Sequence, residues 1–196
     1  MIKKKILIAT GGTGGHVFPA YSLANYLINK NYIVDLTTDA RGFKYLKDYE
    51  NINLIKIYSS PLKKKNIFNF LLSIFKIFFS ILNSLIILTF NRPSLIFGMG
   101  GYSSFPVCIA ASILRIKFII YENNLIIGKA NRYLLPFANK IFVSYKELEG
   151  IADKYKNKVF EIGNIIREEI INSNINSDQS RRFDNLNILV LGGSQG

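Results

Sequence analysis

His16 is the single histidine of the chain, and it directly follows Gly11, Gly12, Thr13, Gly14 and Gly15. Glycine lets backbone come close to a ligand and accepts positive φ. A helix opening just behind such a turn offers free N–H groups and a partial positive charge to a phosphate. Imidazole can take a proton from an attacking hydroxyl near neutral pH. The stretch ATGGTGGHVFP (9–19) therefore joins an anion cradle to a candidate catalytic base. A second glycine turn, FGMGGYSSFP (97–106), repeats the cradle with Gly100, Gly101 and Tyr102. Glu122, in YENN, is the competing base. The first turn is not a P-loop, because no Gly-Lys-Ser/Thr follows it. It is a poor dinucleotide fingerprint too, because the third glycine counted from Gly12 and Gly14 would fall on Val17. No Asp-x-Asp and no His/Cys cluster points to a metal, and no cofactor is expected.

These turns need a scaffold that brings them together. Short apolar runs alternate with helix-like segments. Strands are expected at 5–10, 32–38, 52–58, within 93–100, and at 117–122, 139–145 and 158–164. Helices are expected at 17–30, with Pro19 in the first turn, and at 41–49 and about 105–114. Such alternation implies an α/β fold, a parallel sheet with helices on both faces. If strands one and four are neighbours, both glycine turns open into one crevice at the carboxyl ends of the strands. Two adjacent anion-binding turns suit a diphosphate better than a monophosphate. Residues 172–187 are polar and aperiodic, which reads as an interdomain linker. Residues 188–196, ILVLGGSQG, read as the first strand and glycine loop of a second domain, with 1–171 as the first. The basic lead MIKKK is followed by too short an apolar run for a signal-peptide core.

With 196 residues the chain suits one ordinary domain and the start of another. Its single cysteine, Cys108, excludes an internal disulfide framework and reads as a buried helix residue. Hydrophobic residues make up 49%, and the net charge is +12. The charge is segregated. Residues 51–121 contain no Asp or Glu and carry +8 of the total. A basic surface recruits anions such as nucleic acid, phosphorylated substrates or anionic lipid. Within the same region, residues 66–90 form an apolar segment long enough to span a bilayer. Asn69, Ser73, Lys76, Ser80 and Asn83 trace one narrow polar stripe along it, at spacings of 4, 3, 4 and 3. Lys63, Lys64 and Lys65 lie just ahead. A basic cluster beside an amphipathic apolar helix is a membrane-surface pattern. The segment is therefore expected to be a helix half buried on the sheet with a lipid-facing side. A fully buried crossover helix and a true span are the other readings.

The motifs GGTGGHVFPA, GMGGYSSFP, YENNLIIGKANRYL, GNIIR and GGSQG, in that order, resemble the MurG family of peptidoglycan glycosyltransferases across essentially the whole chain. The resemblance implies a GT-B fold, of which this chain would be the N-terminal, acceptor-binding, Rossmann-like domain. It implies inverting transfer of GlcNAc from UDP-GlcNAc to the C4 hydroxyl of MurNAc in undecaprenyl-diphosphate-MurNAc-pentapeptide (lipid I), forming lipid II. By the same match Thr13, Gly14, Gly15, Asn124, Arg167 and Ser194 would contact the donor. Gly12, Gly100, Gly101 and Tyr102 would hold the acceptor diphosphate, with His16 as candidate base. Lys63, Lys64, Lys65, Phe68 and Phe75 would rest the domain, as a peripheral protein, on the anionic cytoplasmic face of the inner membrane. The family's Glu-Gln-Asn is Glu122-Asn123-Asn124 here, which keeps the amide. Ile165 replaces the proline of its Gly-Asn-Pro, which removes a rigid turn ahead of Arg167. Most of the donor half would lie after Gly196, so the chain alone is expected not to be a competent transferase.

Three rival readings remain. A nucleotide-cofactor oxidoreductase would use Asp35 or Asp39 on a ribose, but lacks the third glycine. A non-catalytic, membrane-recruiting acceptor subunit of a split glycosyltransferase would not be expected to end inside the next domain's first loop. A nucleic-acid binder would present stacking aromatics on a sheet, whereas these basic residues flank an apolar helix.

Overall fold

The computed structural model describes residues 3–49, 51–59, 66–167 and 170–171. The expected linker, the strand and loop of 188–196 with Ser194, and Lys63, Lys64 and Lys65 all lie outside the described residues. Seven strands form one parallel sheet: β1 Lys5–Ala9, β2 Ile33–Thr38, β3 Asn53–Lys56, β4 Leu95–Gly98, β5 Phe118–Glu122, β6 Lys140–Val143 and β7 Val159–Glu161. Their spatial order is β3-β2-β1-β4-β5-β6-β7. The order reverses between β1 and β4, which pair with Ala9 opposite Gly98. Both glycine turns therefore leave neighbouring strand ends at the switch point, where open parallel sheets place their ligands.

Central parallel strands are apolar on both faces because helices cover both. Leu7 and Ala9 point into one core with Ile96, Val107 and Ile120. Ile6 and Ile8 point into the other with Val17, Ala20 and Leu36. The second core lies under α1 (Gly14–Asn29) and α2 (Ala40–Leu46). The first lies under α4 (Ser104–Ile113), α5 (Lys129–Leu134) and the end of α3 (Ile67–Asn91). Cys108 is fully buried in α4, and burial pushes its thiol pKa up. It is inert packing, as its apolar neighbours suggest.

Two differences from the sequence expectation bear on the site. Helix α1 begins at Gly14 rather than 17, so Pro19 lies inside it and not in its first turn. Proline lacks an N–H and leaves the carbonyl four residues back without its helical donor. That carbonyl belongs to Gly15, and the Asn123 side chain donates to it at 3.1 Å. The helix break thereby ties α1 to the loop after β5. Helix α5 has no counterpart in the sequence reading, since six residues are too few for a period to register.

Helix α3 joins β3 to β4 within the same parallel sheet, so the two strands lie on one side of any membrane. That removes the spanning reading, although the helix is long and apolar enough to cross. It packs chiefly against α4, and only its last turns, through Leu88, enter the core beneath the sheet. Its buried positions include Ser73, Ser80 and Ser84. Small side chains on that face let α3 lie close to α4. Most of its phenylalanines stay outside, with Phe68 71% and Phe75 60% exposed.

Candidate active site

The two glycine turns interlock. The Ser103 hydroxyl donates to the Thr10 carbonyl, and the Met99 N–H donates to the Ala9 carbonyl at 2.8 Å. Gly101 has φ +80° and packs so closely on Gly11 that any Cβ there would overlap the Gly11 carbonyl. Gly100, with φ +86°, lies against the imidazole of His16, where a Cβ would come within 2.9 Å of the ring. Glycine is required at both positions, and for the second reason the histidine of one turn can seat on the backbone of the other.

A crevice of about 300 Å³ opens over these turns. Gly12, Thr13, His16, Gly100, Gly101, Tyr102, Glu122 and Asn124, all anticipated from the sequence, line it together. Thr13 is the N-cap of α1, yet its hydroxyl makes no capping bond. His16 is half-buried, and its Nδ1 has no hydrogen-bond partner among the described residues. Burial holds its pKa below the ordinary value, while the Glu122 carboxylate and the Met99 carbonyl act in the opposite direction. The imidazole is thus neutral at pH 7 and able to accept a proton.

Glu122 is differently placed. It is buried, and its Oε1 accepts from the Asn124 N–H at 3.2 Å and the Asn124 side-chain amide at 2.7 Å. Oε2 accepts from the Gly128 N–H at 2.8 Å and from Asn131 Nδ2 at 3.0 Å. Four donors occupy the lone-pair positions of the carboxylate. Of the two catalytic candidates, the His16 ring carries no side-chain hydrogen bond among the described residues and lies against Gly100, whereas Glu122 is fully bonded and organises the Asn124 loop. Asn131, which also donates to the Tyr121 carbonyl at 3.1 Å, completes that arrangement and was not singled out in the sequence.

Other anticipated residues do not line the crevice. Gly14 rests on Phe18, whose ring a Cβ would approach to 2.9 Å. The Gly15 carbonyl is taken by Asn123. Arg167 sits over the Phe18 ring at 4.9 Å and lines a separate cavity of about 370 Å³ with Tyr21 and Ile171. The chain reaches Arg167 through an anchored turn, because the Tyr121 hydroxyl contacts Ser144 Oγ and accepts from the Ile165 N–H. That anchor takes over the position-fixing expected of the missing proline.

Asp35 and Asp39 do not offer a free carboxylate to a ribose. Asp35 is buried and pairs with Lys5 Nζ at 2.7 Å. Asp39 caps α2 through the Gly42 N–H at 2.9 Å and holds the Gly12 N–H at 3.2 Å. Burial alone would raise its pKa, but these two N–H groups and Arg41 outweigh it, and Asp39 stays below its ordinary value. Arg41 itself, and Lys129, also line the crevice. Arg41 belongs to no quoted motif, and Lys129 lies within YENNLIIGKANRYL but outside the two glycine turns. Only the strand order, with β2 beside β1 and β5 beside β4, brings them there.

An open parallel sheet with two interlocked glycine turns at its switch point, and a half-buried imidazole between them, defines a Rossmann-like α/β domain with a crevice over its glycine turns. The chain belongs to glycosyltransferase family 28, whose N-terminal domain profile matches residues 6–143. It is 36% identical over 196 residues to a Pelagibacter ubique protein named UDP-N-acetylglucosamine--N-acetylmuramyl-(pentapeptide) pyrophosphoryl-undecaprenol N-acetylglucosamine transferase, covering 100% of this chain and 53% of the relative. A Rickettsia felis protein of the same name is 39% identical over 200 residues, covering 98% of this chain and 54% of the relative. The crystal structure of Acinetobacter baumannii MurG superposes with a TM-score of 0.69 at 23% identity, covering 90% of this chain and 50% of that one. The fold is that of a GT-B N-terminal domain. The chain spans about half the length of the curated relatives it matches.

Proposed function

We propose that this chain is the acceptor-binding half of an enzyme that transfers GlcNAc from UDP-GlcNAc to the C4 hydroxyl of MurNAc in lipid I, giving lipid II with inversion. The observation that carries the proposal is the neutral His16 seated on the second glycine turn in a family 28 domain. In the reaction the imidazole takes the proton of the acceptor hydroxyl. Its oxygen forms a bond to C1 of GlcNAc, and the bond from C1 to the UDP oxygen breaks, with the electron pair leaving on UDP. The glycine turns, through Gly12, Gly100, Gly101 and Tyr102, hold the acceptor diphosphate. Thr13, Gly14, Gly15, Asn124, Arg167 and Ser194 are the proposed donor contacts, with a following domain to deliver the donor.

The same reading lays α3 on the anionic cytoplasmic leaflet that carries the lipid substrate. What supports it is the broad exposed apolar face of α3, with Phe68 and Phe75, on a helix whose buried side packs against α4. Lys63, Lys64 and Lys65 would add charge attraction there. The test is transfer of labelled GlcNAc to a lipid I analogue by the protein carrying the second domain. His16→Ala should lower turnover more than tenfold. Absence of transfer by the parent refutes the function, and a loss under tenfold refutes the role of His16.

A further inference from the structure

The geometry points to Arg41 and Lys129 as a two-ended cationic bracket that neutralises a diphosphate lying across the glycine turns. The inference rests on the diphosphate reading of the crevice and adds the charges which that reading leaves out. Backbone N–H groups alone give a phosphate partial charges, and a diphosphate carries more charge than two turns offset. Four loops meet at the crevice in the order of their strands. Arg41 follows β2, the first glycine turn follows β1, the second follows β4, and Lys129 follows β5. The two cations therefore flank the paired turns from opposite sides, which gives one positive group for each end of a two-phosphate ligand.

Their environments suit the task. Asp39 Oδ2 holds Arg41 side-on, accepting from Nε at 3.2 Å and Nη2 at 3.0 Å. That leaves both N–H groups of Nη1 and one of Nη2 for a ligand. The same Asp39 also holds the Gly12 N–H, so the guanidinium and the first turn share one buried support. A tethered guanidinium loses little freedom on binding. Lys129 is exposed at the start of α5 and has no carboxylate partner among the described residues. The carboxylate that lines the crevice, Glu122, is committed to its four donors.

Calorimetric titration of the 196-residue chain at low salt tests this with inorganic pyrophosphate and inorganic phosphate. Pyrophosphate should bind more tightly than phosphate. Arg41→Gln, which can still donate to Asp39, and Lys129→Ala should each weaken pyrophosphate roughly tenfold, and together they should erase its advantage over phosphate. Both side chains lie outside the core, and thermal melts of the variants confirm folding. Equal binding of the two anions, or unchanged pyrophosphate binding in both variants, overturns the bracket. Competition separates the sources of the diphosphate. Displacement of pyrophosphate by farnesyl diphosphate, lost in the same variants, assigns the bracket to a lipid-linked acceptor. Displacement by UDP-GlcNAc alone keeps the bracket and overturns the acceptor reading of the turns.

Discussion

A histidine that works as a base must be neutral when the hydroxyl arrives. Burial supplies that for His16 by holding its pKa below the ordinary 6.5. The sign follows directly. Base activity is lost as pH falls through the lowered value, so the acid limb of kcat/KM in the proposed transferase should have its midpoint below 6.5. A midpoint at or above 6.5 would place the limb on another group. Glycines give a second test of the site. Gly101 and Gly163 share positive φ, +80° and +77°, but a Cβ at 163 meets nothing within 4 Å while one at 101 overlaps the Gly11 backbone. Gly163→Ala should cost about 1–2 kcal/mol of backbone strain. Gly101→Ala adds a collision and should cost at least about 3 kcal/mol. Urea unfolding compares them, and equal losses would mean that the two turns do not touch in solution.

At the scale of elements, α3 carries its small polar residues inward and its phenylalanines outward. Ser80 is buried against the α4 side with a hydroxyl that has no partner among the described residues. Ser80→Ala removes that unmet group and should stabilise by about 1 kcal/mol. Ser80→Leu keeps the helix but wedges it from α4, and should destabilise by about 1–3 kcal/mol. Thermal melts read both, and a neutral Leu variant would mean that α3 is not packed as described. The elements were largely legible in the sequence because apolar runs and glycine turns are local signals; strand starts differ by about a residue, while β3 and β6 end two residues and β7 three residues before the expected ends. What was not legible depended on tertiary neighbours. The stripe of Ser73 and Ser80 was visible in the spacing, but its partner α4 was not. Pro19 marked a helix start three residues late, because Asn123, distant in sequence, takes the carbonyl that proline leaves open. His16 and both turns were visible as motifs. Arg41 lay in no motif and Lys129 lay unremarked within YENNLIIGKANRYL, since the order of the sheet is what makes both neighbours of the glycine turns.

For the whole molecule, the uneven charge and the bare helix face make one combined prediction. Residues 51–121 carry +8 without a single carboxylate, and α3 lies within them. Attraction of a basic segment to anionic lipid is worth about 1 kcal/mol per cation near the surface and is screened by salt. Insertion of phenylalanine rings is not screened. Screening of several cations should therefore lower binding to vesicles containing phosphatidylglycerol about tenfold between 50 and 500 mM salt, yet binding should level off above zero. Phe68→Ser with Phe75→Ser should remove the residual, salt-resistant part and leave the salt-dependent part. Both residues are exposed, so the melting temperature should hold. Sedimentation with vesicles measures all of this. If the double variant binds like the parent at high salt, α3 does not enter the lipid and the crevice must meet its acceptor from another face.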